Sequence, residues 1–412
     1  MKYGKDASGP RAETGAIGTS ADADVNDDGD VRECEIAVIG GGVIGCAIAC
    51  ELAPDHDVCV LERGRIAGEA TALAAGLVTM APSYADAPAV ADYATDCFRA
   101  LDGTGAFTYT ERPSVELLPS GKVDAARRRV SRHRDAGIDV TFLDRAETTA
   151  RYPGLDPSGF DGAVEYRDTG WVDPYTLTTV LAGEAKAKGA RFRTGTAVER
   201  VVVENGQVVG VEVAGAEAGN ERLSARTVVM AAGWRSADLL NGVYELPIRP
   251  YRTQCLVLEP GRSMGGLPIG WVPGEHVYFH PEHNGDLLIG GFSLAEDSPW
   301  EASGAADEAF RNHVAKLLPE VVRGADEARF VDGWAGIDAA TPDTQPVIDR
   351  TDVEGLLVAS GFHGRGVMSA PVAARAVAAL CNGTEAPFSL DLFRADRFES
   401  RSRDFEFHSV SA

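Results

Sequence analysis

Residues 35–62 read EIAVIGGGVIGCAIACELAPDHDVCVLE. The run Glu35 to Ile39 is apolar almost throughout, the mark of a strand covered on both faces. Gly40-Gly41-Gly42 breaks it, Val43 to Leu52 reads as a helix, and Val58 to Leu61 is a second strand ending at Glu62. A strand, a helix and a parallel strand make a βαβ unit. Within it, Gly40, Gly42 and Gly45 form a GxGxxG at the passage from strand to helix, with an acid 22 positions after the first glycine. The first glycine permits the tight turn, the second lets backbone N–H groups reach a pyrophosphate, and the third lets the helix lie close to the strand. The phosphates would sit on the positive end of the helix, and Glu62 would accept from ribose hydroxyls. This stretch therefore predicts a Rossmann-like dinucleotide site.

Outward from it the chain changes character several times. Residues 1–33 carry Asp22, Asp24, Asp27, Asp28, Asp30 and Glu33 among small polar residues, and read as a disordered acidic tail. From about 84 to 150 the pattern is helical and charged, with six basic residues between Asp124 and Asp135. Asp173 to Gly189 reads as a helix and Arg191 to Thr196 as a strand. Val198 to Val213 is a hairpin turning at Asn205-Gly206, and Thr227 to Ala231 a buried strand. Leu246 to Phe292 returns to period 2, with a second hairpin at Asn284-Gly285. Leu356 to Ala359 is a last buried strand, and Met368 to Leu380 a helix of small residues. The expected fold class is α/β. A parallel sheet assembled from 34–84, 150–243 and 330–398 carries the cofactor. A second unit, from 85–149 and 244–329, is built on an antiparallel β-sheet with helices, and 399–412 is a C-terminal tail.

Composition narrows the function. The chain has 412 residues and a formal net charge of −23, from 62 acidic against 39 basic side chains. Such a surface repels phosphate backbones, so nucleic acid is excluded as a partner. Only six of the basic residues are lysines, at 2, 5, 122, 186, 188 and 316. An excess of Asp and Glu with little Lys is the pattern of a halophilic, salt-rich cytoplasm. No stretch of 18 apolar residues occurs, so the chain is not membrane-spanning. The N-terminus lacks the apolar core of a secretory signal, which places the protein in the cytoplasm. Seven cysteines without a CxxC pair suit small buried side chains in a reducing compartment, with neither a metal site nor a disulfide framework.

After Glu62 the chain does not run on into further βα units, as a nicotinamide enzyme normally would. It continues as GEATALAAGL at 68–77 and then into helices. Here it resembles the D-amino-acid oxidase (DAO) superfamily of FAD-dependent amine oxidoreductases, from about residue 35 to 398. Six separated motifs carry the resemblance. They are the GxGxxG stretch with Val43, Ile44 and Leu61-Glu62-Arg63; Thr71 with Ala74-Ala75-Gly76 and Leu77; Val198 in TAVERV; Ala231-Ala232-Gly233-Trp234; Trp334-Ala335-Gly336 with Thr341-Pro342-Asp343 and Pro346; and Gly361-Phe362-His363-Gly364-Arg365-Gly366 with Val367 and Met368. The resemblance implies that these segments hold FAD: the second under the isoalloxazine, Val198 by backbone contact to adenine, the fourth over the ADP moiety. The last motif feeds a helix whose N-terminus, with Arg365, opposes negative charge developing on the flavin. Members that bind FAD covalently carry a cysteine where this chain has Gly336, or a histidine where it has Leu73. FAD is therefore expected to be non-covalent.

The implied reaction is oxidation of the C–N bond of an amino acid or N-alkyl amino acid, with hydride passing to FAD and an imine left to hydrolyse. The carboxylate clamps of the best-known members are missing. The arginine of WAGLR is replaced by Asp338, and the lysine after the glycine-rich loop of monomeric sarcosine oxidases by Met368. An acid after WAG is more similar to the proline dehydrogenase and heterotetrameric sarcosine oxidase branch, which favours sarcosine, dimethylglycine or proline as substrate type over glycine or a D-amino acid. Asp338 is a candidate for the substrate ammonium, and Arg365, Arg252 and Tyr251 for its carboxylate. His363 and His280 are the other polar candidates, and Tyr278 and Trp334 read as apolar wall. A 2-hydroxy acid or glycerol phosphate would want more basic residues in 246–292 than Arg249, Arg252 and Arg262. The electron acceptor is oxygen or a redox carrier, and a homo-oligomer or a subunit role in a larger hetero-oligomer stays open.

Overall fold

The computed structural model describes residues 32–214 and 221–409, and their strands assort into two large sheets and a small one. In the first sheet the order is Val198–Glu204, Gln207–Val213, Glu221–Met230, Glu33–Ile39, Val58–Leu61, Arg191–Arg193. The strands Glu33–Ile39, Val58–Leu61 and Glu221–Met230 run parallel, and Ile39 sits level with both Leu61 and Met230. Their carboxyl ends therefore open on one edge, which brings Gly40, Glu62 and Ala231 together, and Leu356–Ser360 joins as a further parallel strand. A crevice outside the carboxyl ends of parallel strands is where such sheets take ligands. The helix Val43–Leu52 buries nearly every residue between the sheet and the helices Pro174–Ala187 and Gly366–Asn382.

The second sheet orders Arg329–Ala340, Arg249–Glu259, Leu287–Ala295, Val277–Pro281, Ile269–Val272, Ser114–Leu118, Gly162–Tyr166, Val140–Leu143. It is antiparallel except where Ile269–Val272 meets Ser114–Leu118 in parallel. Period 2 divides its faces. Leu256, Phe279, Ile289, Val115 and Leu117 pack with Phe310, Val314 and Leu318 of the helix Glu308–Val321. The opposite face is the wall of a cavity shared with the first sheet.

Both Asn-Gly hairpins form where the pattern put them, with Asn205 at φ 54 and Gly206 at φ 81. Other expectations need correction. The 84–150 stretch is helical only in part, since it also supplies Ser114–Leu118 and Val140–Leu143 to the second sheet. Gly162–Tyr166 and Arg329–Ala340, assigned from sequence to the cofactor half, hydrogen-bond in that sheet as well. The C-terminal stretch from 399 is docked as far as residue 409: Phe405 O accepts from Arg249, and Phe407 stacks on Tyr251 and His363. The acidic stretch lies, up to residue 31, outside the described residues. No helix among the described residues is long and apolar enough to cross a membrane.

Candidate active site

Each glycine of the GxGxxG does a separable job. Gly40 adopts φ +110, and a Cβ there would stand 2.5 Å from Ala231 O. A Cβ on Gly45 would come within 1.9 Å of Gly40 O, so the third glycine is a helix-packing residue that faces away from the ligand space. Gly42, the N-cap of the helix Val43–Leu52, offers no capping side chain, so the helix start opens on the cavity. Thr71 Oγ1 accepts from Val43 N–H at 3.1 Å, and Glu62 accepts from Gly41 N–H at 2.7 Å and Gly64 N–H at 2.6 Å. Glu62 thus fixes the glycine turn, and its remaining lone pairs face the cavity.

The cavity measures about 890 Å³, near the top of the usual range for small-molecule sites. Of the sequence candidates, Gly40, Gly42, Val43, Ile44, Glu62, Arg63, Thr71, Ala75, Gly76, Leu77 and Val198 line it. So do Ala232, Gly233, Trp234, Tyr251, Gly336, Asp338, Gly364, Arg365, Gly366, Val367 and Met368. A second helix, Gly366–Asn382, also starts on the cavity without a side-chain cap. At the end beside Trp234, Arg235 stacks over Trp234 and Trp300, and Glu69 bonds both Arg63 and Arg235. Trp234 Nε1 and Arg235 Nε there are buried donors without an acceptor. An open helix N-terminus at Gly42, a glycine cradle and spare donors make this end suited to a phosphate group.

The loop Thr71–Gly76 is pinned from the second sheet. Trp334 Nε1–H donates to Leu73 O at 3.0 Å, and His280 Nε2–H to Ala75 O at 3.1 Å. Trp334 is therefore a tie and not the wall expected, since it does not line the cavity. Burial lowers the pKa of His280 to about 4, so it stays neutral, and Glu282 beside it is raised to about 7 by burial and then by Asp173 and Asp286. A Cβ at Gly336 would meet Leu73 at 3.1 Å, so these two positions face each other, and neither carries a nucleophile.

Asp338 has a structural task. Its Oδ1 accepts from Ala339 N–H at 2.7 Å, and its Oδ2 from Gly364 N–H at 2.7 Å and from Tyr251 Oη–H at 3.2 Å. Burial raises its pKa, opposed by those three donors. It couples the second sheet to the loop Gly361–Gly366, while Tyr251 is itself held un-ionised by burial and by Asp338. Arg365 donates to Thr344 O at 3.2 Å and lies over the Tyr84 ring.

Three candidates belong elsewhere. Arg252 points away from the cavity, because Tyr251, Thr253 and Cys255 occupy the cavity face of its strand. Its guanidinium is consumed by Asp307, Ser303 O and Ala305 O. His363 is fully buried, receives Thr341 N–H on Nδ1 at 3.3 Å and donates from Nε2 to His408 O at 2.7 Å. Gly361 shapes the turn at φ +77, against Thr341 and Ile248. Conversely, Ser114, Glu116, Arg129, His133 and Tyr166 line the cavity and escaped the sequence reading. The cluster of basic residues at 124–135 was their only signal.

The profile of the DAO family, described as FAD dependent oxidoreductase, matches residues 35–380. A D-amino acid dehydrogenase of Cereibacter sphaeroides is 31% identical over 301 residues, which are 71% of this chain and 67% of that protein. The crystal structure of glycine oxidase from Geobacillus kaustophilus superposes with a TM-score of 0.81 at 24% identity, covering 90% of this chain and 100% of that one. That of L-proline dehydrogenase from P. horikoshii gives 0.78 at 24% identity, covering 86% and 95%.

Proposed function

Because the chain belongs to the DAO family of FAD-dependent oxidoreductases, and so is an FAD enzyme acting on amino acids, we propose that its substrate is an N-alkyl amino acid oxidised at the C–N bond. The observation that carries this reading is the wall facing the Thr71–Gly76 loop. The arginine position of the primary-amine clamp is taken by Asp338, whose carboxylate is already committed to three donors, and Arg252 is turned away. That leaves Arg365 at the loop end for the α-carboxylate, since Tyr251 gives its one hydroxyl proton to Asp338. Beyond them the wall becomes Tyr278 and Trp271, stacked at 6.1 Å, an apolar surface suited to a substituent on nitrogen.

FAD, when bound, supplies the hydride acceptor. Gly40 to Val43 and the start of the first helix would hold its pyrophosphate, and Glu62 its ribose. Orientation is the chain's main contribution. Arg365 would grip the carboxylate, and the aromatic wall would exclude water from the reacting carbon. Asp338 would hold the loop by taking the Gly364 N–H, leaving the N–H groups that follow at the start of the helix Gly366–Asn382 to face negative charge. With Leu73 and Gly336 facing each other, we propose that the flavin is held without a covalent bond.

Anaerobic visible spectroscopy tests both statements. Sarcosine, dimethylglycine or proline is expected to bleach the flavin faster than glycine or D-alanine at equal concentration, and acid-denatured protein to release all flavin through a filter. Faster bleaching by D-alanine would overturn the N-alkyl preference, and flavin retained with the precipitate the non-covalent attachment.

A further inference from the structure

The cavity does not end at Tyr278 and Trp271. Cross-strand pairing places Cys255 opposite Gly290, Gly290 opposite Tyr278, Tyr278 opposite Trp271 and Trp271 opposite Glu116. Residues paired in this way share a face, and Cys255, Tyr278, Trp271 and Glu116 all line the cavity. A Cβ on Gly290 would stand 2.1 Å from the Tyr278 ring, so glycine is what lets that ring lie flat on the sheet. Four strand spacings put Glu116 roughly 19 Å along the sheet from Cys255. The space is therefore long, with an aromatic floor.

Its far end is charged. Arg129, from the helix Val123–Asp135, donates from Nη2 to Glu116 at 2.5 Å and has no other bonded acceptor among the described residues. The ion pair fixes the guanidinium while leaving the outer edge of its fork unused. His133 and Tyr166 sit beside it, bonded to each other at 3.0 Å. Burial, then Arg129 and Arg132, lowers the His133 pKa, so that imidazole adds no charge. In a chain of net charge −23, this one helix gathers Arg127, Arg128, Arg129, Arg132 and Arg134. Of these only Arg129 lines the cavity, with the others on the same helix adding positive potential against the field of the whole surface.

We propose that the cavity takes an elongated amino acid whose nitrogen substituent or side chain lies on Tyr278 and Trp271 and ends in a second carboxylate, received by Arg129. Arg129 is then a specificity-determining residue, bonded to Glu116 about four strand spacings from Cys255. The inference rests on the proposed amine oxidation for its chemistry but not for its binding geometry.

The FAD-loaded protein is titrated anaerobically with N-(ω-carboxyalkyl)glycines of increasing chain length, and with N-propylglycine as the reference without a second charge. Binding is read from the flavin's spectral shift and turnover from bleaching. The longer diacids are expected to bind about 10- to 100-fold tighter than N-propylglycine, the range for a charge-assisted hydrogen bond. Arg129→Gln should shrink that ratio by a similar factor and Arg129→Lys restore part of it, with flavin absorbance showing that both variants are folded. A ratio near one in the unmodified protein, or one that Arg129→Gln leaves unchanged, overturns the proposal. Arg129-dependent binding without bleaching keeps it and overturns the amine oxidation instead. Bleaching that ignores chain length does the reverse.

Discussion

At the scale of single residues, Asp338 tests how far a carboxylate can act by holding backbone. Asp338→Ala strands the N–H groups of Ala339 and Gly364 and the hydroxyl of Tyr251, which are its three donors. Each buried donor left unmade costs about 1–3 kcal/mol. Because two of the three belong to the strand and loop that face the flavin, the loss should appear in rate as well as in stability. Asp338→Ala is expected to retain flavin but to slow the limiting rate of its reduction by about 10- to 100-fold, with a lowered Tm. Asp338→Asn, which keeps one acceptor oxygen, should fall between the two. Stopped-flow reduction together with thermal melting checks this. Equal rates for Asp338→Ala and the unmodified protein would show that Asp338 supports the fold alone.

Elements bring in the C-terminal segment, which the sequence reading left as a tail. His363 holds it through His408 O, and Phe407 stacks 5.6 Å from the His363 ring and 5.1 Å from Tyr251. Burial lowers the His363 pKa to about 4, below its ordinary 6.5. The folded state thus binds fewer protons than the unfolded one between those values. The stabilisation is complete above about pH 6.5 and is lost as pH falls toward about 4, by at most about 3 kcal/mol. His280 acts in the same direction, whereas Glu282, raised to about 7, acts in the opposite one. The informative quantity is therefore the difference between the unmodified protein and His363→Gln. Urea unfolding from pH 7 to pH 4.5 should show a smaller acid loss in His363→Gln, which cannot take the proton. Parallel curves would mean that the segment is held by its aromatic rings alone.

The same elements show what could be read beforehand. The cofactor half was legible because its constraints are local: Gly40, Gly42 and Gly45 are close in sequence, and each is demanded by a backbone approach within a few residues or at the next strand end. The substrate half was not. Its strand Arg249–Glu259 is buried on both faces, so nothing in the pattern told Tyr251 from Arg252 as the residue facing the cavity. Glu116 and Tyr166 come together only through strand pairing in the second sheet, and Arg129 reaches them from the helix Val123–Asp135, contacts that no local stretch encodes. The docked C-terminal segment did leave a trace, the alternation of Phe405 and Phe407.

At the scale of the whole molecule, the charge is the feature that no single contact explains. Many arginines are engaged: Arg99 holds Glu111 and Asp168, Arg200 holds Glu212, and Arg397 holds Asp343. Even with every basic side chain set against an acid, a formal excess of 23 negative charges remains, in a chain with only six lysines. Exposed pairs contribute about 0–1 kcal/mol each, so they do not offset a repulsion summed over the surface. At about 0.1 M salt the screening length is about 10 Å, comparable to the spacing of surface charges, and at about 1 M it falls to about 3 Å. If the composition is an adaptation to a salt-rich cytoplasm, Tm should climb by at least about 5 °C between about 0.1 M and about 2 M KCl, on the order of 4 kcal/mol for a chain of this size. The rise should continue beyond about 0.5 M, where screening of ordinary proteins is nearly complete. A Tm that levels off at that point would mark the acidity as a bias of composition, tolerated because the arginine pairs and the buried apolar clusters carry the fold without help from salt.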